Sequence, residues 1–484
     1  MVSRRNVLEG IAVSAGISAM GGIAPAMAAH HVPTVTGPVT GGWRGHPFTA
    51  CLGDICDLGY VEEEYFLEGT ATRYRPIGET TPDGKWTVEP GESSPYKTRM
   101  LIRRPVDPAR FNGVVILEWL NVTAGYDTST IGQLSDALYN EGFALAFVTC
   151  QQVGVHGTQV APQALRAWDP ERYGTLSIPG DGLSYDILSQ AGRALGPQRP
   201  RDGIDPWQGL DVRKIIATGA SQSAGRLLSY INAVHPIARV FDGYHPTIGF
   251  GLGFGFGDGV LDPSAGTPSP DRVFIPSRFR DDLDVPVFAV NSETEALMYY
   301  RSRQPDTDRF RYWEVAGASH VPQAFDAYLA RLRERDGLTG DDLEYGSRVM
   351  WEPSSDAALQ HMVGWMMRGT QPPRAEFIEI EMADGRPQVV RDEYGNARGG
   401  VRLPEMEVPT ARYTAAIQGL NATAGLRGST EPFSAERLRE LYPTRADYVA
   451  SVTEATHAAE AGGYIDHYQV AAYLAQARRE PLGG

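Results

Sequence analysis

The segment 214–225, KIIATGASQSAG, runs a β-branched stretch into Thr218-Gly219 and then Ala220-Ser221-Gln222-Ser223. This is the pattern of a strand turning sharply into a helix with a serine at the apex. The strained apical backbone demands small residues two before and two after it, here Gly219 and Ser223. A serine held there projects its hydroxyl clear of a sheet. Its attack needs a base, an acid that orients the base, and amide donors for the developing oxyanion. Ser221 is the candidate nucleophile. Ser223 is the rival, because small-x-Ser-x-small also holds around it, but it lies two residues further from the strand.

The base is sought on a loop after the last core strand. Of the 10 histidines, His320 lies there, following the extended run 310–316 through Gly317-Ala318-Ser319. His245 also follows an extended run and is the runner-up. The orienting acid belongs at the end of the preceding strand, where Asn291-Ser292-Glu293-Thr294-Glu295 offers two glutamates. Counted from the Val-Pro entry of that strand, Glu295 is favoured and Glu293 is the alternative. One oxyanion amide belongs to Gln222, first in the helix after the nucleophile. The second is expected from Asn121 or Val122, in the polar, small stretch EWLNVTAG (118–125) just past a buried strand. Trp119, Phe250, Phe254, Phe256 and Tyr299 are candidates for an apolar pocket wall, with Trp119 and Tyr299 assigned to substrate binding.

The elements that must position these groups follow from periodicity. Residues 113–120, 143–149, 212–218, 240–244, 286–291 and 310–316 read as strands, most of them apolar throughout. Residues 130–140, 183–195, 223–234 and 357–368 read as helices. This alternation predicts an α/β fold, a mostly parallel central sheet with helices on both faces, in which chemistry collects on loops at the carboxyl ends of the strands.

Four parts are expected along the chain. Residues 1–28 read as a twin-arginine export signal, with Arg4-Arg5 before a weakly apolar stretch that closes on Ala26-Met27-Ala28. Residues 29–110 read as an extended segment packed on the core, with strands at 72–74 and 98–102 and turns at 80–85 and 89–94. The core spans 111–370, with a Gly/Phe/Pro-rich, lid-like insertion at about 245–281. Gly251-Leu252-Gly253 begins like a phosphate loop, but its glycines alternate with apolar residues and no helix start follows. A C-terminal extension, 371–484, carries helices at 435–442, 445–461 and 468–478.

Composition narrows the function classes. The formal net charge of −15 becomes −16 when the signal takes away Arg4, Arg5 and Glu9. An acidic surface repels nucleic acid and anionic lipid, so neither is expected as a partner. No apolar run in the mature chain is long enough to span a bilayer. The 3 cysteines, Cys51, Cys56 and Cys150, lack zinc-site spacing, so no metal is expected. Cys51 and Cys56 either close a small loop or stay unpaired. No cofactor and no oligomeric state are specified.

Several blocks together resemble the bacterial "alpha/beta hydrolase domain" proteins of the α/β-hydrolase superfamily. They are EWLNVTAG (118–125), SYDILSQAGRAL (184–195), GASQSAGR (219–226), VPVFAVNSETE (285–295), RYWEVAGASH (311–320) and RDEYGNARGGVRLP (391–404). The resemblance implies a cofactor-free, exported serine hydrolase acting on a small-molecule carboxylic ester, with an extension that packs on the core. An amidase, peptidase or lactonase on the same residues is the alternative; a peptidase would use acids such as Glu118, Asp181 or Asp186 to hold an amine. A non-catalytic binding protein is the second alternative.

Overall fold

The structure, a computed structural model, describes residues 32–158, 162–258, 274–340, 345–415 and 425–482. The expected export signal and part of the lid-like insertion lie outside the described residues. Nine strands form one sheet: β1 (Thr34–Thr36), β2 (Tyr60–Pro76), β3 (Val88–Pro105), β4 (Val114–Trp119), β5 (Ala144–Val148), β6 (Lys214–Ala220), β7 (Gly243–Thr247), β8 (Val287–Ser292) and β9 (Phe310–Val315). Their spatial order is β1-β2-β3-β5-β4-β6-β7-β8-β9. From β5 to β9 every neighbouring pair is parallel. β1, β2 and β3 add antiparallel at the β5 edge.

The central strands are buried on both faces, which is why they read as unbroken apolar runs. Within β4, Val115 and Leu117 enter one apolar cluster and Val114 and Ile116 the other. Alternate side chains therefore build the two layers that cover the sheet. Helix α1 (Ser184–Leu195) follows β5, α2 (Gln222–Ser229) follows β6, α3 (Glu293–Tyr299) follows β8, and α4 (Gln323–Asp336) and α5 (Glu352–Arg368) follow β9. The extension adds α6 (Arg445–Ala461) and α7 (His467–Arg479).

The structure departs from the sequence expectations in four places. The N-terminal segment is a long hairpin of the main sheet, and residues 89–94 belong to β3 instead of a turn. Pro90 and Pro95 are tolerated because β3 meets β5 only over Met100–Arg103, so their missing N–H groups break no ladder on that side. The helix expected over 130–140 is confined to Ala137–Asn140. Gly132 takes φ +59 and its carbonyl accepts from the Tyr139 hydroxyl, which folds the chain out of helical register. The helix expected over 223–234 ends at Ser229 and gives way to a π-helical turn over Tyr230–Val234. The insertion starts later than expected, since β7 carries the sheet through His245 to Thr247.

Glu118 lies inside β4 with no exposure. Its Oε1 accepts from the Thr130 amide (2.9 Å) and hydroxyl (2.7 Å), while Oε2 has no partner. Burial pushes its carboxyl up to about 7, against the lowering effect of the Thr130 bonds. An acid with a raised folded-state pKa contributes stability that is full below its unfolded pKa and lost as pH rises through the folded value. Unfolding free energy should therefore fall by roughly 3 kcal/mol between about pH 4.5 and pH 8 through this residue. Urea melts of Glu118→Gln are expected to lack that part of the slope.

Candidate active site

Ser221 closes β6 and forms the N-cap of α2 with φ 58° and ψ −116°. A non-glycine residue at positive φ outside the left-handed helical well is strained, and surrounding contacts must hold it there. One is the Ser221 amide donating to Thr247 O on β7 at 3.0 Å. The turn is so tight that a Cβ on Gly219 would meet Ser223 O at 3.1 Å and Ser223 Cβ at 3.2 Å. The small residues read from the sequence are therefore required by close backbone approach.

The Ser221 hydroxyl lies 2.9 Å from His320 Nε2, and His320 Nδ1 lies 2.6 Å from Glu295 Oε1. Glu295 has no exposure and His320 4%. The carboxylate can only accept, so the proton sits on Nδ1 and Nε2 faces the serine as an acceptor. The other Glu295 oxygen, Oε2, accepts from Ser292 N (2.8 Å) and Ser292 Oγ (2.6 Å). Those bonds belong to the capping box that starts α3, so one helix start both fixes the acid and ends β8. The ring of Phe250 stacks on the imidazole at 5.2 Å and 18°.

The competing candidates are engaged elsewhere. Glu293 does not touch the imidazole; its Oε2 accepts from Gly317 N at 2.7 Å. His245 is buried in β7 between Phe288 O and the Ser355 hydroxyl, and burial pushes its pKa down to about 4, so it is a neutral core residue. Ser223 is fully buried, and its hydroxyl donates to Leu120 O at 3.1 Å.

Of the amides expected to serve an oxyanion, those of Gln222 and Val122 are uncommitted. The Gln222 amide is the first of α2, and the Val122 amide lies in the loop after β4. Among the described residues, neither has a hydrogen-bond acceptor. Asn121 must be corrected: its amide donates to Thr128 O at 3.0 Å in a two-way bridge, so it has no N–H to offer. Its side chain instead donates to Ala220 O at 3.0 Å, tying the β4 exit to the Ser221 turn.

The assignment of Trp119 and Tyr299 to substrate binding is also corrected. Trp119 has no exposure, stands edge-on to Tyr185 and donates from Nε1 to Gln151 Oε1. Tyr299, 3% exposed, stacks on Tyr312 and borders a cavity of about 10 Å³, too small for an acyl group. Phe254 and Phe256 are buried too, which leaves Phe250 as the one proposed wall aromatic beside the imidazole. These rings read as pocket wall because aromatic residues near a glycine-rich loop look alike in sequence whether they face in or out.

Sequence reasoning missed Gln151, whose Oε1 accepts from Gln222 Nε2 at 2.8 Å and holds the residue next to Ser221. Its signal was a polar pair, Gln151-Gln152, just past the apolar β5. It also missed Thr294, whose hydroxyl accepts from the His320 amide at 3.0 Å. The capping-box pattern Ser292-x-x-Glu295 was the available signal for choosing between the two glutamates.

The acids considered for gripping an amine are used internally. Asp181 pairs with Arg226 at 3.0 Å, and Asp186 accepts from Thr72 N and Gln190 Nε2. Glu118 is sealed in the sheet. The three cysteines are unpaired, so no bridge joins Cys51 to Cys56. Among the described residues no group of three His, Cys, Asp or Glu is placed to hold a metal, and no helix is long and apolar enough to cross a membrane.

No curated protein matches the chain. Solved structures that the chain matches include a serine hydrolase without lid from Xanthomonas campestris, with 10% identity, 56% of this chain and 90% of that one covered, and a TM-score of 0.26. An esterase from the fungus Rhizomucor miehei has 11% identity, coverages of 56% and 85%, and a TM-score of 0.26. Thermogutta terrifontis esterase 2 has 11% identity, coverages of 45% and 78%, and a TM-score of 0.25. The profile of the family described as "Alpha/beta hydrolase domain" matches residues 35–475, nearly the whole chain. With that match over core and extension alike, the chain belongs to the alpha/beta hydrolase domain family.

Proposed function

We propose that the protein is an exported serine hydrolase that cleaves an uncharged, fairly apolar carboxylic ester through an acyl-enzyme formed on Ser221. The observation that carries this reading is the continuous hydrogen-bonded chain from Ser221 Oγ through His320 to Glu295, on a serine held at positive φ. His320 Nε2 takes the hydroxyl proton as Oγ attacks the acyl carbon. The resulting oxyanion is held by the Gln222 and Val122 amides. The imidazolium, stabilised by Glu295, returns the proton to the departing alkoxide as the ester C–O bond breaks. A water molecule then repeats the sequence on the acyl-enzyme, releasing the acid and restoring Ser221.

An uncharged substrate is favoured by the internal pairing of Asp181 and Asp186 and by the apolar ring of Phe250 on the imidazole. Export is supported by the twin-arginine pattern of residues 1–28.

The test is labelling of the purified protein with a fluorophosphonate, followed by peptide mapping. The adduct is expected on Ser221, with a short p-nitrophenyl ester hydrolysed far faster than an aminoacyl anilide. No adduct, or an adduct on Ser223, would sink the assignment. A faster anilide rate would move the substrate to the amide class.

A further inference from the structure

The motif at 391–404 belongs to the C-terminal extension, yet its first residue reaches Glu293, which holds the loop that carries His320. Arg391 Nη1 lies 2.7 Å from Glu293 Oε1, in ion-pair contact without hydrogen-bond alignment. Glu293 is 2% exposed, and burial pushes its carboxyl upward while Arg391 and the Gly317 amide hold it down. Glu293 grips the base loop at both ends of its own residue: Oε2 accepts from Gly317 N at 2.7 Å, and its amide donates to Ala318 O at 3.0 Å.

The extension presses on the same loop from further points. Val401 O accepts from Ala316 N, and Leu426 O accepts from Val321 N, immediately beyond His320. Ala415 O accepts from the Thr294 hydroxyl, the group that holds the His320 amide. Met406 lies so close to Gly317, which takes φ +76°, that a Cβ there would run into its sulfur. The loop bearing the base is thus clasped between the end of β8 and the extension.

We propose that Arg391 is a positioning residue for His320, acting through Glu293: it neutralises a buried carboxylate whose job is to hold the base loop. This rests on the serine-hydrolase reading above. Of two glutamates two residues apart, Glu295 orients the imidazole and Glu293 fixes the loop beneath it. A buried carboxylate is held in place only while its charge is compensated, and loss of one partner leaves the other to move or take up a proton. A shift of the imidazole by about 1 Å is enough to cost on the order of 10²-fold in rate.

The test uses the full chain and a p-nitrophenyl ester. Arg391→Met is expected to lower kcat by roughly 10²-fold with KM within about twofold, and Arg391→Lys to recover most of it. Glu293→Gln, which keeps an acceptor for the Gly317 amide, is expected to cost no more than about tenfold. In that background Arg391→Met should cost less than about threefold further, because no uncompensated charge remains. Should Arg391→Met fail to fold, the double variant must still fold and match Glu293→Gln. An unchanged kcat in folded Arg391→Met, a Lys variant as poor as Met, or an undiminished effect in the Gln background would overturn the proposal. Ser221→Ala is measured in parallel. If it is inactive while Arg391→Met is unaffected, only the positioning role falls. If it is fully active, the serine reading falls and the positioning role with it.

Discussion

Ser221→Ala is expected to lower kcat on a short p-nitrophenyl ester by roughly 10⁴- to 10⁶-fold, with KM little changed. The alanine keeps the backbone turn but removes the atom that attacks, and no neighbouring group can take over. Ser223 is the nearest hydroxyl in sequence, yet it is fully buried and committed to Leu120 O. The residual rate should be that of substrate held against the Gln222 and Val122 amides with water as the attacking group. The measurement is steady-state kinetics with the wild type as reference. A variant within tenfold of wild type would show that the ester is cleaved elsewhere.

Glu295→Gln is expected to cost about 10⁴-fold in kcat, by the tautomer argument established for serine hydrolases. Both oxygens of Glu295 are acceptors in use: Oε1 toward His320 Nδ1, and Oε2 toward the amide and hydroxyl of Ser292. A glutamine supplies one acceptor and one donor. With its NH₂ toward the ring, Nδ1 becomes the acceptor and Nε2 carries the proton, facing Ser221 with nothing to accept the hydroxyl hydrogen. With its NH₂ toward Ser292, two N–H groups oppose each other in a site without solvent. Either orientation disables the base or breaks the capping box. Glu293→Gln keeps the one hydrogen bond its carboxylate accepts, from Gly317, so its loss should be smaller by at least two orders of magnitude. Equal losses in the two variants would overturn the division of roles.

The different duties of two glutamates in one helical turn illustrate what sequence order can and cannot convey. Both follow the same strand, and both are buried. Spacing favoured Glu295, and the serine three residues before it marks the helix start that orients it. Nothing local to Glu293 announces Arg391, which arrives from nearly a hundred positions downstream through the packing of the extension on β9. The same limit applies to the aromatics. Trp119 and Tyr299 have the composition of a pocket wall, but burial is decided by the layers that close over them.

The extension itself follows this logic. Its contacts around His320 are carried largely by backbone groups: Val401 and Leu426 offer carbonyls to the loop, and Ala415 offers one to Thr294. Backbone groups have no residue-type signature, so such contacts leave little trace in the sequence.

The sequence by itself determined the local features whose causes are local: the buried strands with their continuous apolar runs, the helices with their periodicity, and the strand-to-helix turn at Ser221 with its obligatory small residues. The tertiary structure alone brought His320 within hydrogen-bond reach of Ser221 and Glu295 within reach of His320, and committed the Asn121 amide to Thr128. It likewise decided that Val401, Met406 and Leu426 of the C-terminal extension press on the loop carrying His320. Those outcomes depend on contacts between segments far apart in the chain, and such distances close only when the sheet assembles and both of its faces are covered.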